Sequence, residues 1–133
     1  MIINVYSPCS NTEKFELWGE IEKVMVKYKN WASCVMGDFN AVRVPSEHKG
    51  MGVETMNRTK MDRFNSFIDN CRFLDIPVVG RLYTWYRPNG TFRSRLHKIL
   101  VSESWLLKWP GSSQFVQTRQ ASYHCVNILL SHF

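Results

Sequence analysis

The sequence has no apolar run long enough to cross a bilayer. Its longest stretches, Val126-Asn127-Ile128-Leu129-Leu130 and Ile99-Leu100-Val101, fall far short of the ~20 residues a spanning helix needs. No secretory apolar region follows Met1, so neither an export signal nor a membrane partner is expected. Cysteine is sparse and scattered: Cys9, Cys34, Cys71 and Cys125 form no Cys-x-x-Cys pair, and no histidine stands at zinc-finger spacing. A structural zinc site is therefore not expected, and the four thiols read as small buried or half-buried side chains in an intracellular, reducing compartment. The triplets Asn57-Arg58-Thr59 and Asn89-Gly90-Thr91 have the form of glycosylation acceptors, which matters only in a secreted chain. There are no internal repeats, low-complexity tracts or interior linkers. Acidic residues are the minority, 11 Asp+Glu against 17 Lys+Arg, giving a net charge of +6 over 133 residues. That excess favours an anionic partner, and nucleic acid suits it better than an acidic small molecule. A content of 44% hydrophobic and 21% charged residues is that of one folded domain rather than a disordered chain.

What is present reads as strands interleaved with helices. Ile2-Ile3-Asn4-Val5-Tyr6 is β-prone and stops at Ser7-Pro8, where the proline lacks a ladder donor. An apolar strand so close to the start resembles a cut edge, and further strands are expected to pair with it. Ser10 and Glu13 form a capping box, and Leu17, Trp18, Ile21, Val24, Met25 and Tyr28 recur at helical spacing, predicting an amphipathic helix over 12–29. The opposite face, with Glu16, Glu20, Glu22, Lys23 and Lys27, reads as solvated. Trp31 to Met36 has no polar alternation and predicts a buried strand ending at Gly37; the helix is expected to lay Leu17, Trp18, Ile21 and Met25 on the sheet carrying Cys34 and Val35. Residues 43–58 read as a long surface loop. Thr59 and Asp62 suggest the cap of a second helix with Met61, Phe64, Ile68 and Cys71 on one face. Strand patterns follow at 74–79, 81–87, 92–101, 113–119 and 124–130, with a hairpin turn at Pro88-Asn89-Gly90 and a short helix over 102–107. The class is α/β with mixed strands.

Chemistry would concentrate where Gly37-Asp38-Phe39-Asn40 follows the buried strand, since strand C-terminal ends carry ligands in sheets of this type. A carboxylate two residues from an amide can orient a water or a phosphoryl oxygen, or hold a hard cation through oxygen. Gly-Asp-x-Asn is equally good turn chemistry. Tyr6, Arg81, Tyr83, Thr84, Trp85, Arg95, His97 and His124 are the other polar candidates for a phosphodiester site. Each has a structural alternative: Trp85 as packing, His97 as a surface histidine whose strand neighbours Arg93 and Arg95 point the same way, and His124 as a residue leading into an apolar strand.

The ordered motifs Asn4-Val5-Tyr6-Ser7-Pro8, Gly37-Asp38-Phe39-Asn40-Ala41-Val42-Arg43, Gly80-Arg81-Leu82-Tyr83-Thr84-Trp85, Ser94-Arg95-Leu96-His97-Lys98-Ile99-Leu100-Val101-Ser102 and Ser122-Tyr123-His124-Cys125 resemble those of endonuclease/exonuclease/phosphatase domains. In detail they look like the endonuclease of plant LINE-type (non-LTR) retrotransposons. The resemblance covers nearly all of the chain. It implies a partial DNase I-like sandwich of mixed β-sheets flanked by helices, with Mg²⁺-dependent hydrolysis of a DNA phosphodiester at the common edge of the sheets. Under that implication Asp38 aligns the attacking water, Asn40 orients substrate or metal-bound oxygens, His124 faces the scissile phosphate and Tyr6 hydrogen-bonds it. Arg81, Tyr83, Thr84, Trp85 and Arg95 then form the phosphate-contacting surface. Two positions depart from the family: His97 and Tyr123 stand where it carries Asp. The family's principal metal ligand, a Glu on a strand preceding the Asn-Val-Tyr-Ser-Pro segment, has no counterpart here, which leaves Asp38 as a weak Mg²⁺ ligand.

The resulting expectation is residues 1–133 as one incomplete domain, the C-terminal portion of a retroelement endonuclease, without catalytic activity as it stands. The alternatives are a basic nucleic-acid-binding remnant, in which Arg81, Arg87, Arg93, Arg95 and Lys98 hold phosphates without cutting, and a decayed reading frame with no function. DNA binding is expected to be weak, nonspecific and salt-dependent. Nuclear residence follows only from the resemblance.

Overall fold

A computed structural model of the chain describes residues 1–50, 58–80, 83–86, 92–116 and 127–130. The architecture is mixed α/β, with three sheets and three α-helices among those residues. The central sheet has the order β1-β2-β8-β4, built from β1 (Ile2–Tyr6), β2 (Cys34–Asp38), β8 (His97–Val101) and β4 (Leu74–Asp75). β1 and β2 run parallel, joined by a crossover through α1 (Asn11–Lys27), while β8 is antiparallel to both β2 and β4.

Helix α1 begins where its capping box predicts, with Ser10 Oγ accepting from the Glu13 N–H. Its apolar stripe, Trp18, Ile21 and Met25, packs with Val35, Leu100 and Val5 on one face of the central sheet. Helix α2 (Arg58–Asn70) joins the same layer through Phe64, Phe67 and Ile68, and Trp18 sits 5.1 Å from Phe64 and 5.9 Å from Phe67 between ring centroids. Burying several aromatic rings in offset contact is a large apolar contribution from few residues. Thr59, expected as part of a cap, lies inside α2. The helix thus lies on the sheet carrying Cys34 and Val35, as expected; strand side chains alternate, so Cys34 itself faces the opposite side, in a second cluster with Ile76, Ile99, Val101 and Trp105 of α3 (Glu103–Lys108). Ser102 caps α3, its Oγ accepting from the Trp105 N–H. Among the described cysteines, Cys9 is exposed rather than buried, Cys34 is buried and Cys71 is intermediate.

Strand β2 begins at Cys34 and runs through the expected stop at Gly37, so Gly37 and Asp38 belong to the strand itself. Residues 74–79 are not one strand. β4 pairs with β8, and after Pro77 the chain enters β5 (Val78–Gly80) of a second sheet, ordered β10-β9-β5, with β9 (Ser113–Val116) and β10 (Asn127–Leu130). The run 92–101 divides likewise, β7 (Phe92–Ser94) pairing with β6 (Trp85–Tyr86) and with β3 (His48–Gly50) in a third sheet before β8 enters the central one. The expected surface loop at 43–58 contains a 3₁₀ turn at Pro45–Glu47 and β3, and Glu47 is buried.

Glu47 holds these sheets together. Lys98 Nζ of β8 donates to both its carboxylate oxygens at 2.9 and 2.8 Å, Arg95 Nη1 donates to Oε2 at 2.7 Å, and the Arg43 backbone N–H donates to Oε1. Arg95 also forks onto the carboxylate of Asp75 at 3.2 and 3.0 Å and donates to Gln114 Oε1 of β9 at 3.1 Å. One buried network thus links segments from four parts of the sequence.

Candidate functional site

The register of the central sheet assembles the site. Tyr6 pairs with Asp38, and Asp38 pairs with His97, so three side chains from β1, β2 and β8 form one row across adjacent strands on the same face. Together with Asn4, Val5 and Gly37 they line a small open pocket at the C-terminal ends of the parallel strands. Tyr6 is 84% exposed and Asp38 only 9%, which places the phenol at the mouth and the carboxylate at the base.

Asp38 Oδ1 accepts the Asn40 backbone N–H at 2.8 Å, and Asn40 has φ +47°, an Asx turn closing the strand end. The Asn40 side chain donates from Nδ2 to the Pro8 carbonyl at 3.4 Å, tying the β2 exit to the β1 exit, and the Ser7 N–H donates to the Asp38 carbonyl at 2.8 Å. The turn chemistry visible in the motif is therefore real, and it sets the angle of the carboxylate. His97 is half-buried, with both its backbone N–H and its Nδ1 at Thr84 Oγ1.

Other expected residues are placed differently. Arg95 and Thr84, expected at a phosphate-contacting surface, are turned inward: Arg95 is consumed by Glu47, Asp75 and Gln114, and Thr84 is fully buried beneath His97. Lys98, expected among the phosphate-holding cations, is buried on Glu47. Arg95 and His97 do not point the same way, because a break after β7 separates them. Tyr83 is half-buried, with the Arg93 guanidinium 5.0 Å from its ring centroid, and Trp85 is half-buried in β6. Arg81, Tyr123 and His124 lie outside the described residues.

Lys14 was not singled out by sequence pattern, yet it is 2% exposed on the first turn of α1. Burial, with Lys60 close by, pushes its ammonium down to about 8, against the opposing pull of Cys9 and Asp38. The signal was present in the spacing, since positions 14, 18, 21 and 25 form one helical stripe.

A hard divalent cation of the Mg²⁺ type requires near-octahedral oxygen ligation. The pocket supplies one carboxylate, already bonded to a backbone N–H, beside a phenol and an imidazole, and among the described residues no group of three or more His, Cys, Asp or Glu side chains converges. Among the described residues the pocket therefore offers such an ion a single carboxylate, Asp38.

Taken as a whole the architecture is a mixed α/β fold of the DNase I-like kind. It is similar to the crystal structure of beta toxin 275-280 from Staphylococcus aureus, with a TM-score of 0.57 and 17% identity. The match covers 95% of this chain and 47% of that one, so the chain spans about half the length of the protein it resembles. No family model matches the sequence, and no curated protein does.

Proposed function

We propose that this chain is part of a DNase I-like DNA endonuclease unit of the LINE-type retrotransposon kind, and that in its present form it binds DNA without cutting it. The observation that carries the reading is the row Tyr6, Asp38 and His97, brought from three strands to the end of the central sheet and lining one open pocket. The net charge of +6 supports a polyanionic partner. The single carboxylate that the described residues of the pocket offer a hard divalent ion supports the loss of cutting, because a phosphodiesterase site works as a unit and a partial one retains little.

The test is a supercoiled-plasmid nicking assay with Mg²⁺ or Mn²⁺, run beside a gel-shift assay at low salt. The unmodified chain and Asp38→Ala are both expected to leave the plasmid intact while retarding duplex DNA. Metal-dependent nicking that Asp38→Ala abolishes would overturn the inactive reading and keep the endonuclease one. Absence of both nicking and retardation would remove the nucleic-acid reading altogether.

A further inference from the structure

Strand β1 is an outer strand of the central sheet among the described residues, and the hydrogen bonds on its inner side fix which of its backbone groups face outward. The Met1 amine donates to the Ala32 carbonyl at 2.7 Å, the Met1 carbonyl accepts the Cys34 N–H at 2.8 Å, and the Ser7 N–H donates to the Asp38 carbonyl at 2.8 Å. In a parallel ladder such bonds recur at every second residue, so Met1, Ile3, Val5 and Ser7 turn their backbone groups to β2. Ile2, Asn4 and Tyr6 turn theirs the other way, where no strand takes them up among the described residues. The edge also lacks the features that keep such a row from pairing. Residues 1–12 carry no charged side chain, β1 contains no proline, and its register with β2 runs without a bulge. Ile2 is 65% exposed and Tyr6 84%.

We infer that β1 is a docking edge for a second copy of this chain, the two β1 strands pairing antiparallel about a two-fold axis at Asn4. An uncharged edge on a chain of net charge +6 is a poor place for a polyanion and a good one for another polypeptide strand, whose backbone brings neutral donors and acceptors. Among strands, its own copy fits because the row is self-complementary. Antiparallel pairing centred on Asn4 sets Asn4 opposite Asn4 and Ile2 opposite Tyr6, each a hydrogen-bonded pair, so the outward N–H and C=O groups of both copies all find partners. The same register lays the exposed Ile2 side chain against the exposed Tyr6 ring, an aliphatic–aromatic cross-strand pair, and brings no like charges together. Tyr6 lines the pocket with Asp38 and His97, so Ile2 of the second copy flanks the mouth of that pocket in each half of the dimer. The pairing does not rest on the endonuclease reading.

The experiment is sedimentation velocity of the full chain, without DNA, over a concentration series at low and high salt. The unmodified chain is expected to reach twice its 15.6 kDa mass as concentration rises, and to associate no less at high salt, because screening relieves the repulsion between two positive copies. Asn4→Pro removes an N–H that β2 does not use, and is expected to abolish the dimer while the monomer keeps its far-UV circular dichroism. Ile2→Lys puts a charge on an exposed edge position and is expected to do the same. In a Cys9→Ser background, Asn4→Cys is expected to give a disulfide-linked dimer on oxidation that the background alone does not, because Cα atoms paired at the two-fold lie about 5.5 Å apart, within disulfide reach. A monomer at every concentration, a dimer that both edge variants leave intact, or a dimer in which Asn4→Cys does not cross-link would overturn the inference. Should Asn4→Pro fail to fold, Ile2→Lys and the cross-link decide it. A dimer that fails to retard DNA would count against the proposed function alone.

Discussion

At position 37 the backbone leaves no room for a side chain. Gly37 has φ +136°, and a Cβ there would lie 2.1 Å from the Val5 carbonyl oxygen and 2.9 Å from the Val5 nitrogen, backbone atoms of the strand paired beside it. Neither can yield without breaking the β1–β2 ladder that brings Tyr6 level with Asp38. Gly37→Ala combines a disfavoured φ with overpacking against backbone, and is expected to cost on the order of 3 kcal/mol. Urea denaturation followed by tryptophan fluorescence measures it, and a loss below ~1 kcal/mol would show that the strand pair can relax. The motif at 37–40 was legible in the sequence because its glycine and Asx-turn residues act locally. The inward place of Thr84 was not, because the Leu96 and His97 N–H groups that its hydroxyl oxygen accepts belong to another segment of the chain.

Among the elements, the two long helices and β1 and β2 were readable because capping and apolar periodicity are local signals. The segments around Glu47 were not. Its ionic partners lie 48 and 51 positions along the chain, so a stretch containing Pro, Gly and charges read as surface loop when it holds the buried anion that joins the sheets. Arg95 and Lys98 read as phosphate-binding cations for the same reason. Pro77 broke the strand pattern at 74–79 visibly, but that the two halves belong to different sheets is a property of the tertiary fold. Removing the anion is expected to be costly: Glu47→Gln leaves Arg95 and Lys98 buried with Asp75 as their remaining carboxylate, a loss of about 3–5 kcal/mol by chemical denaturation. The pH dependence follows in sign. Burial alone would raise the Glu47 pKa, but Lys98, Arg95 and the Arg43 N–H outweigh it and hold the carboxyl below its usual range, so its contribution is present above the unfolded value and lost as pH falls through the folded one. Burial pushes Lys98 down to about 8, so between that value and its unfolded pKa the folded chain binds fewer protons than the unfolded one, and Lys98 by itself makes stability rise with pH there. Denaturation midpoints are therefore expected to fall between pH 6 and pH 3.5. A midpoint unchanged across that range would contradict the network.

For the whole molecule, the buried network removes two cations and two anions from the surface, so the excess of six positive charges remains with the rest of the chain. A polyanion meets that excess with counterion release, and affinity then falls linearly on a logarithmic scale with salt, by roughly 0.9 for each phosphate neutralised. With no element disposed to read base edges among the described residues, duplex DNA is expected to bind without sequence preference, with a slope of about −3 or steeper by fluorescence anisotropy at several salt concentrations. Two arginines close in sequence separate surface from interior. Arg93, half-buried over Tyr83, can reach a phosphate, and Arg93→Ala is expected to reduce the slope by about 1 while leaving the fold intact. Arg95 is bound to Glu47, Asp75 and Gln114, and Arg95→Ala is expected to lower the denaturation midpoint, because it strips a buried guanidinium from two carboxylates. If Arg95→Ala instead lowered the salt slope with the midpoint unchanged, Arg95 would be a surface cation and the inward-facing network would be the part in error. A slope near zero, with binding intact, would mean that the contact with DNA is not made by charge and that the positive excess has no part in it.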